Sequence, residues 1–170
     1  MLVGDKGCDL KEVFMKWVTR TGVKFDRTAC AWAIKRFIDP EAEFGFLSGD
    51  EMPAAIEAGA KPFHNYAWTG NPADVPADRI NFPKLLELYG LDSDPALVKF
   101  GELVKKAEKT GWAKDGSEQY SLFAIANGIS KMVNGDDSAI TERLMPVYDA
   151  LYAFCKDLVK GDPGWMSDAG

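Results

Sequence analysis

The chain has 170 residues, 46% of them hydrophobic and 27% charged, and its formal net charge is −6 at pH 7. This composition excludes an intrinsically disordered chain, and the length predicts a single domain over 1–170 with its core at about 12–159. The acidic total disfavours sequence-independent nucleic-acid binding, which needs a broad basic face.

The N-terminal half carries short strand patterns separated by helices. Alternation of apolar and polar residues predicts a strand over 12–20 that Gly22 ends. Asp26 is suited to the N-cap of a following helix, which Asp39-Pro40 ends at about Ile38. Further strands are expected at 43–48 and 61–66, with a helix over 52–58 between them that ends at Gly59.

The C-terminal half is predicted to be almost entirely helical. A stretch at 68–81 rich in Pro, Gly and Asp is typical of a long binding loop or lid. Helices are predicted at 82–89, 95–109, 117–133 and 137–159, and Pro146 should either kink the last helix or divide it. The fold class is therefore α+β, with a small N-terminal sheet packed with a predominantly helical C-terminal half.

The cellular location is predicted from the cysteines and from the absence of targeting signals. The three cysteines, Cys8, Cys30 and Cys155, are odd in number and form no CxxC pair, which indicates a reducing compartment. The N-terminus has no apolar signal-peptide region, and no apolar run reaches the about 18 residues of a membrane helix. The sequence therefore predicts a cytoplasmic protein without a membrane partner. Its oligomeric state stays open.

Positive charge is concentrated around the predicted strand-to-helix turn. The window 16–36 holds six basic residues and one acid, a net charge of +5 within a chain of −6. Backbone N–H groups at a helix start favour anions, and arginines can bind an oxyanion with two hydrogen bonds. One hypothesis is a binding site for a small oxyanion or anionic metabolite at 18–28, formed by Arg20, Lys24, Arg27, Thr28 and Trp32. The alternative is a solvated basic face.

The same segment resembles a known family. The run WVTRTGVKFDRTACAWAIKRFIDPEAEFGF (17–46) is similar to the C-terminal domain of ChrB-type chromate-resistance proteins, and LLELYGLDSDPAL (85–97) and VYDALYAFCK (147–156) match in the same order. The resemblance covers roughly residues 16–158. It implies a role in the response to chromate, a dianion shaped like sulfate. Full-length members carry an added N-terminal region linked to transcriptional control, whereas this chain starts almost at the shared domain, so a ligand-binding or enzymatic role is expected.

Two positions depart from the family pattern. Related sequences tend to have an acidic residue after Phe63, where this chain has His64, and a histidine before a segment that reads VPADRINFPKLL here. If those residues bind a metal in the family, this chain has altered or lost that site. The metal is therefore left unknown.

An enzymatic alternative uses three other side chains. Asp26, His64 and Glu118 are candidates for acid–base catalysis on a small anionic substrate, with the 68–81 loop closing over them. Helix capping explains Asp26 and Glu118 equally well, and the single histidine can be a packing residue. A regulatory protein-interaction module that uses the loop is a further alternative.

No cofactor is signalled by the sequence. P-loop, GxGxxG, HExxH and GxSxG patterns are absent, and a single histidine makes an all-protein zinc site improbable. Cys30 and Cys155 fall on apolar helix faces and are expected in the core.

Overall fold

The structure is a computed structural model that describes residues 17–64, 80–110 and 118–161, with no side-chain description at 109–110 and 118–120. It confirms the α+β class: a three-stranded sheet near the N-terminus is followed by a helical C-terminal half. The predicted strand residues 12–16 and 65–66 and the loop residues 68–79 lie outside the described ranges.

The sheet is parallel, and its first strand is central. Strand β1 (Trp17–Arg20) pairs with β2 (Phe44–Leu47) on one side and with β3 (Lys61–Pro62) on the other. From the central strand β1 the chain passes to β2 at one edge of the sheet. It then crosses back over β1 to form β3 at the opposite edge. In open parallel sheets, ligands bind beyond the carboxyl ends of strands at such a reversal of strand order. The carboxyl ends of β1 and β3 are therefore the first place to look for a site.

Helix α1 (Phe25–Ala33) is the central helix of the fold. It continues as a π-helical segment, Ile34–Ile38, and ends before Asp39-Pro40 as predicted. The assignment of Asp26 as N-cap is wrong, because Lys24 is the N-cap and Asp26 lies in the first turn. Almost every residue of α1 is buried, since α4 and α6 pack against it.

The remaining helices follow the predicted order, and each of their ends lies within one residue of its predicted position. Asp94 accepts hydrogen bonds from the backbone N–H of Ala96 and Leu97 at the start of α4. Pro146 lies inside one continuous helix, so the division into two helices does not occur. These helices are α2 (Met52–Glu57), α3 (Phe82–Leu88), α4 (Pro95–Thr110), α5 (Glu118–Met132) and α6 (Asp137–Lys160).

An aromatic cluster forms the core between α1, α3, α4 and α6. Trp32 stacks on Phe100 with ring centroids 4.5 Å apart, and Tyr148 meets both rings edge-on. Gly101 lets α3 approach α4, because a Cβ there would lie 2.9 Å from the Phe82 ring. Burial of such large rings supplies most of the favourable free energy of a core.

Within the described ranges, no helix has both the length and the apolar character needed to cross a membrane. The cytoplasmic location stays a prediction.

Candidate functional site

The turn between β1 and α1 is held by two charged side chains of the protein itself. The Arg27 guanidinium donates hydrogen bonds to the carbonyls of Arg20 and Thr21, at 2.8 and 2.9 Å. The Asp137 carboxylate at the start of α6 accepts from the backbone N–H of Gly22 and Val23, at 2.9 and 2.8 Å. An internal carboxylate therefore already binds the backbone groups that an external anion would use in this turn.

Asp26 and His64 form a buried pair at the carboxyl edge of the sheet. Asp26 lies in the first turn of α1, and His64 lies two residues beyond β3. Their closest atoms, Asp26 Oδ2 and His64 Nε2, are 2.5 Å apart, and the residues are only 7% and 8% exposed. Asp26 Oδ1 also accepts from the Phe82 backbone N–H at 3.3 Å. The carboxylate thus fixes the imidazole, as it does in hydrolase triads.

The backbone of His64 is in a conformation that few side chains adopt. Its φ is +59°, in the left-handed region where residues other than glycine are uncommon. Such conformations cost about 1–3 kcal/mol and are concentrated at functional sites. Here the conformation lets the chain leave β3 while the imidazole stays against Asp26.

Two buried polar atoms at this edge have no hydrogen-bond partner among the described residues. They are His64 Nδ1 and the Thr19 hydroxyl oxygen. Thr19 is the third residue of β1, and His64 follows the neighbouring strand β3, so both residues lie toward the carboxyl edge of the sheet. Buried polar side chains are nearly always hydrogen-bonded in folded proteins, and an unpartnered one costs about 1–3 kcal/mol.

Charged side chains at the start of α1 and on α4 interact electrostatically with the Asp26–His64 pair. Burial and then the negative charge of Asp26 raise the pKa of Glu108, while His64, Lys24 and Arg27 act in the opposite direction. Burial and then the charge of Arg20 lower the pKa of Arg27. These interactions place Glu108 on α4 within electrostatic reach of the pair. We use "dyad site" for Asp26 and His64 together with Thr19, Lys24 and Glu108.

The five side chains predicted to bind an anion do not all face solvent. Thr28 is buried, donates to the carbonyl of Phe25 and shares a 2.7 Å hydrogen bond with the Tyr148 hydroxyl. Trp32 is fully buried and donates through Nε1 to Asp149. Arg20 and Lys24 are exposed, and Arg27 is half-buried.

Contacts within the protein explain part of the positive charge in the window 16–36. Arg36 forms a bidentate ion pair with Asp149 at 2.8 Å, and Lys35 donates to the Ala42 carbonyl at 3.0 Å. Much of the charge therefore fastens α1 and its π-helical end to neighbouring segments. Within the described part of the chain, the Arg20 and Lys24 side chains take no part in a hydrogen bond or ion pair.

Of the three predicted catalytic residues, the structure brings together Asp26 and His64. Glu118 begins α5, and its side chain is outside the described set. The 68–79 part of the predicted lid also lies outside the described residues, so its role as a lid or partner-binding loop stays a prediction. In the described ranges, no three His, Cys, Asp or Glu side chains are grouped closely enough to hold a metal ion.

The cysteines at 30 and 155 lie in the core as expected, and both are free thiols. Burial raises the pKa of Cys30 well above its usual value, and the nearby charges of Asp26 and Glu108 add to the effect. Burial also raises the pKa of Cys155 to about 11. Both thiols are therefore protonated at neutral pH and are poor nucleophiles.

A separate cleft of about 340 Å³ opens at the amino ends of β1 and β3. Trp17 and Lys61, the first residues of those strands, line it together with Phe37, Ile38, Asp39 and Tyr89. Asp39 accepts from Trp17 Nε1 at 2.8 Å. None of the predicted site residues lies in this cleft.

Sequence reasoning missed Thr19, Glu108 and Asp137. Thr19 reads as an ordinary strand residue, Glu108 as one of many charges on α4, and Asp137 as a first-turn acid. Each of them gains its position only from contacts between distant segments.

Comparisons with known proteins agree with the resemblance noted in the sequence. The family model described as ChrB, C-terminal domain, matches residues 17–155. Protein ChrB of Cupriavidus metallidurans is 32% identical over 137 residues, which are 81% of this chain and 40% of that protein. The chain therefore spans less than half the length of this curated relative. No solved structure matches the chain significantly.

Proposed function

The chain belongs to the family of the ChrB C-terminal domain, and from this premise we propose that it binds a small oxyanion or anionic metabolite in the chromate response. The ligand binds at the dyad site, beyond the carboxyl ends of β1 and β3. The proposed site keeps Arg20 and Lys24 from the predicted set at 18–28 and adds the buried pair Asp26 and His64.

The observation that carries the proposal is the pair of unpartnered buried polar atoms, His64 Nδ1 and Thr19 Oγ1, at the reversal point of the sheet. Leaving them unpartnered costs free energy that a hydrogen-bonding ligand would restore. The His64 side chain contacts Asp26, and its backbone is in a left-handed conformation, so the orientation of Nδ1 is set before the ligand arrives. Such preorganisation reduces the entropy that binding must offset.

Two exposed positive charges at the turn between β1 and α1 favour an anionic ligand. Arg20 at the end of β1 and Lys24 just before α1 are exposed cations, and neither takes part in an ion pair within the described ranges. Asp137 already binds the N–H groups of Gly22 and Val23. The side chains of Arg20 and Lys24, rather than the backbone of the turn, therefore hold the ligand. Thr28 and Trp32 support the site from the core without touching the ligand.

An acid–base enzyme is the second candidate, and the contact between Asp26 and His64 favours it. A carboxylate that orients an imidazole is the arrangement that general base catalysis uses. Glu108, whose pKa is raised by burial and by the charge of Asp26, would then be a further candidate proton donor in addition to the predicted Glu118. Turnover of an anionic metabolite that stops in a His64→Gln variant would favour this candidate over simple binding.

Calorimetric titration of the purified chain with chromate, sulfate and phosphate tests the binding proposal. We expect at least one anion to bind, and Arg20→Ser and Lys24→Ser each to weaken it about tenfold, the effect of losing one charged hydrogen bond. Arg27 is unsuitable for this test because its removal would also release two turn carbonyls. Lys131→Ser, at an exposed lysine near the end of α5, is the matched control and should leave affinity unchanged. Flat titrations with all three anions in folded protein would refute the proposal.

A further inference from the structure

The hydrogen bond that His64 makes through one ring nitrogen determines whether the other nitrogen donates or accepts. Nε2 faces the Asp26 carboxylate, so the ring proton of a neutral imidazole lies on Nε2. Nδ1 then carries a lone pair and acts as a hydrogen-bond acceptor. It is buried and has no partner in the described part of the chain.

We propose that the ligand of the dyad site donates a hydrogen bond to His64 Nδ1, so that the site selects protonated oxyanions over fully ionised ones. Inorganic phosphate and arsenate keep at least one O–H group near neutral pH, whereas sulfate and selenate keep none. Chromate belongs to the accepted class through its hydrogen chromate form. This inference rests on the proposed function and adds the chemical class of its ligand.

The other charged groups of the dyad site also favour a protonated ligand. The Asp26 carboxylate is buried beside His64 and repels a fully ionised dianion, and Glu108 lies within reach of the same charges. A ligand with a proton offers the donor that Nδ1 needs, and in its monoanionic form, such as dihydrogen phosphate, it also carries less charge. Thr19 does not discriminate, because a hydroxyl can donate or accept.

Affinity for matched pairs of anions measures this selectivity. Phosphate against sulfate and arsenate against selenate are compared by calorimetry with the whole chain, near neutral pH and at constant ionic strength. We expect the protonated member of each pair to bind about tenfold more tightly, the effect of leaving one buried acceptor unpartnered.

The variant that isolates Nδ1 is His64→Gln. A glutamine amide can still donate to Asp26 from near the Nε2 position, but it has no acceptor in place of Nδ1. We expect this variant to keep binding through Arg20 and Lys24 while its preference falls to about twofold or less. Lys131→Ser is again the control and should retain the full preference.

A second readout does not depend on the variant folding. His64 is the single histidine, so ¹⁵N-histidine labelling gives the signals of one imidazole. Its Nδ1 resonance should be that of an unprotonated nitrogen. That resonance should shift when phosphate is added but not when sulfate is added. Equal or tighter binding of sulfate, a protonated Nδ1, or a preference that survives in His64→Gln would overturn the inference and leave the anion site intact. If no anion binds, or if Arg20→Ser and Lys24→Ser have no effect on affinity, the proposed function fails as well.

Discussion

Single residues in this domain perform tasks that their sequence neighbours do not reveal. Asp26 looks like a helix cap, yet its carboxylate is directed at His64, which lies two residues beyond β3. Asp137 looks like a first-turn acid, yet it binds two backbone N–H groups of the turn after β1. In both cases a carboxylate satisfies a group more than 30 residues away, so its role depends on the tertiary fold.

Replacement of Asp137 by alanine tests the turn at the residue scale. The backbone N–H groups of Gly22 and Val23 would lose their acceptor, so we expect the free energy of unfolding to fall by about 1–3 kcal/mol. Urea unfolding followed by circular dichroism measures the change. Glu142→Ala, at an exposed position of the same helix, should change stability by less than about 0.5 kcal/mol. Equal stability of the two variants would show that the contact contributes nothing.

Helix α1 and helix α6 are joined by a polar link as well as by the aromatic core. Asp149 on α6 accepts from Trp32 Nε1 and pairs with Arg36 of the π-helical segment. The hydrogen bonds from Arg36 lower the pKa of Asp149, burial opposes them, and the bond from Trp32 adds to the lowering. Arg27, one of the predicted anion-binding residues, and Arg36, which lies in the same basic window, thus connect segments of the fold.

The link predicts a dependence of stability on pH at the scale of these two helices. Because the pKa of Asp149 is lower in the folded state, its contribution is present at neutral pH and is lost as the pH falls through about 4 and below. Asp149→Asn should therefore be less stable than the natural chain near neutral pH, by no more than about 1 kcal/mol because the pair is half-exposed. The difference should shrink in acid.

Urea unfolding at neutral and acidic pH checks this expectation. Asp157→Asn is the matched control, since that exposed carboxyl lies on the same helix and has no bond to another described residue. A stability difference for Asp149→Asn that stays constant with pH would contradict the role of its charge.

At the scale of the whole molecule, the distribution of charge argues against nucleic-acid binding. The chain carries −6, and the basic window of +5 is a local exception. Arg27, Lys35 and Arg36 within it donate to groups of the protein itself. Few cations are left to neutralise phosphates, so we predict that this domain does not bind DNA.

Electrophoretic mobility-shift assays on the purified chain test this prediction. Any affinity for duplex DNA should be weak at low salt and should vanish as salt rises, because it would come from a few phosphate contacts. No sequence-specific complex is expected at about 150 mM salt, where specific binders typically hold at roughly 10⁻⁸ M. A submicromolar, sequence-specific shift under those conditions would contradict the prediction.

The sequence by itself determined the family, the order of the elements and the α+β class, because periodicity, Gly and Pro breaks and the 17–46 run are local signals. It also singled out Asp26 and His64, which do meet. Only the tertiary structure decided that they form a buried pair, that Thr28 and Trp32 lie in the core, and that Asp137 fills the turn. Those outcomes depend on parallel strand pairing and on α4 and α6 packing against α1. Such contacts join residues far apart in the chain, and no local pattern encodes them.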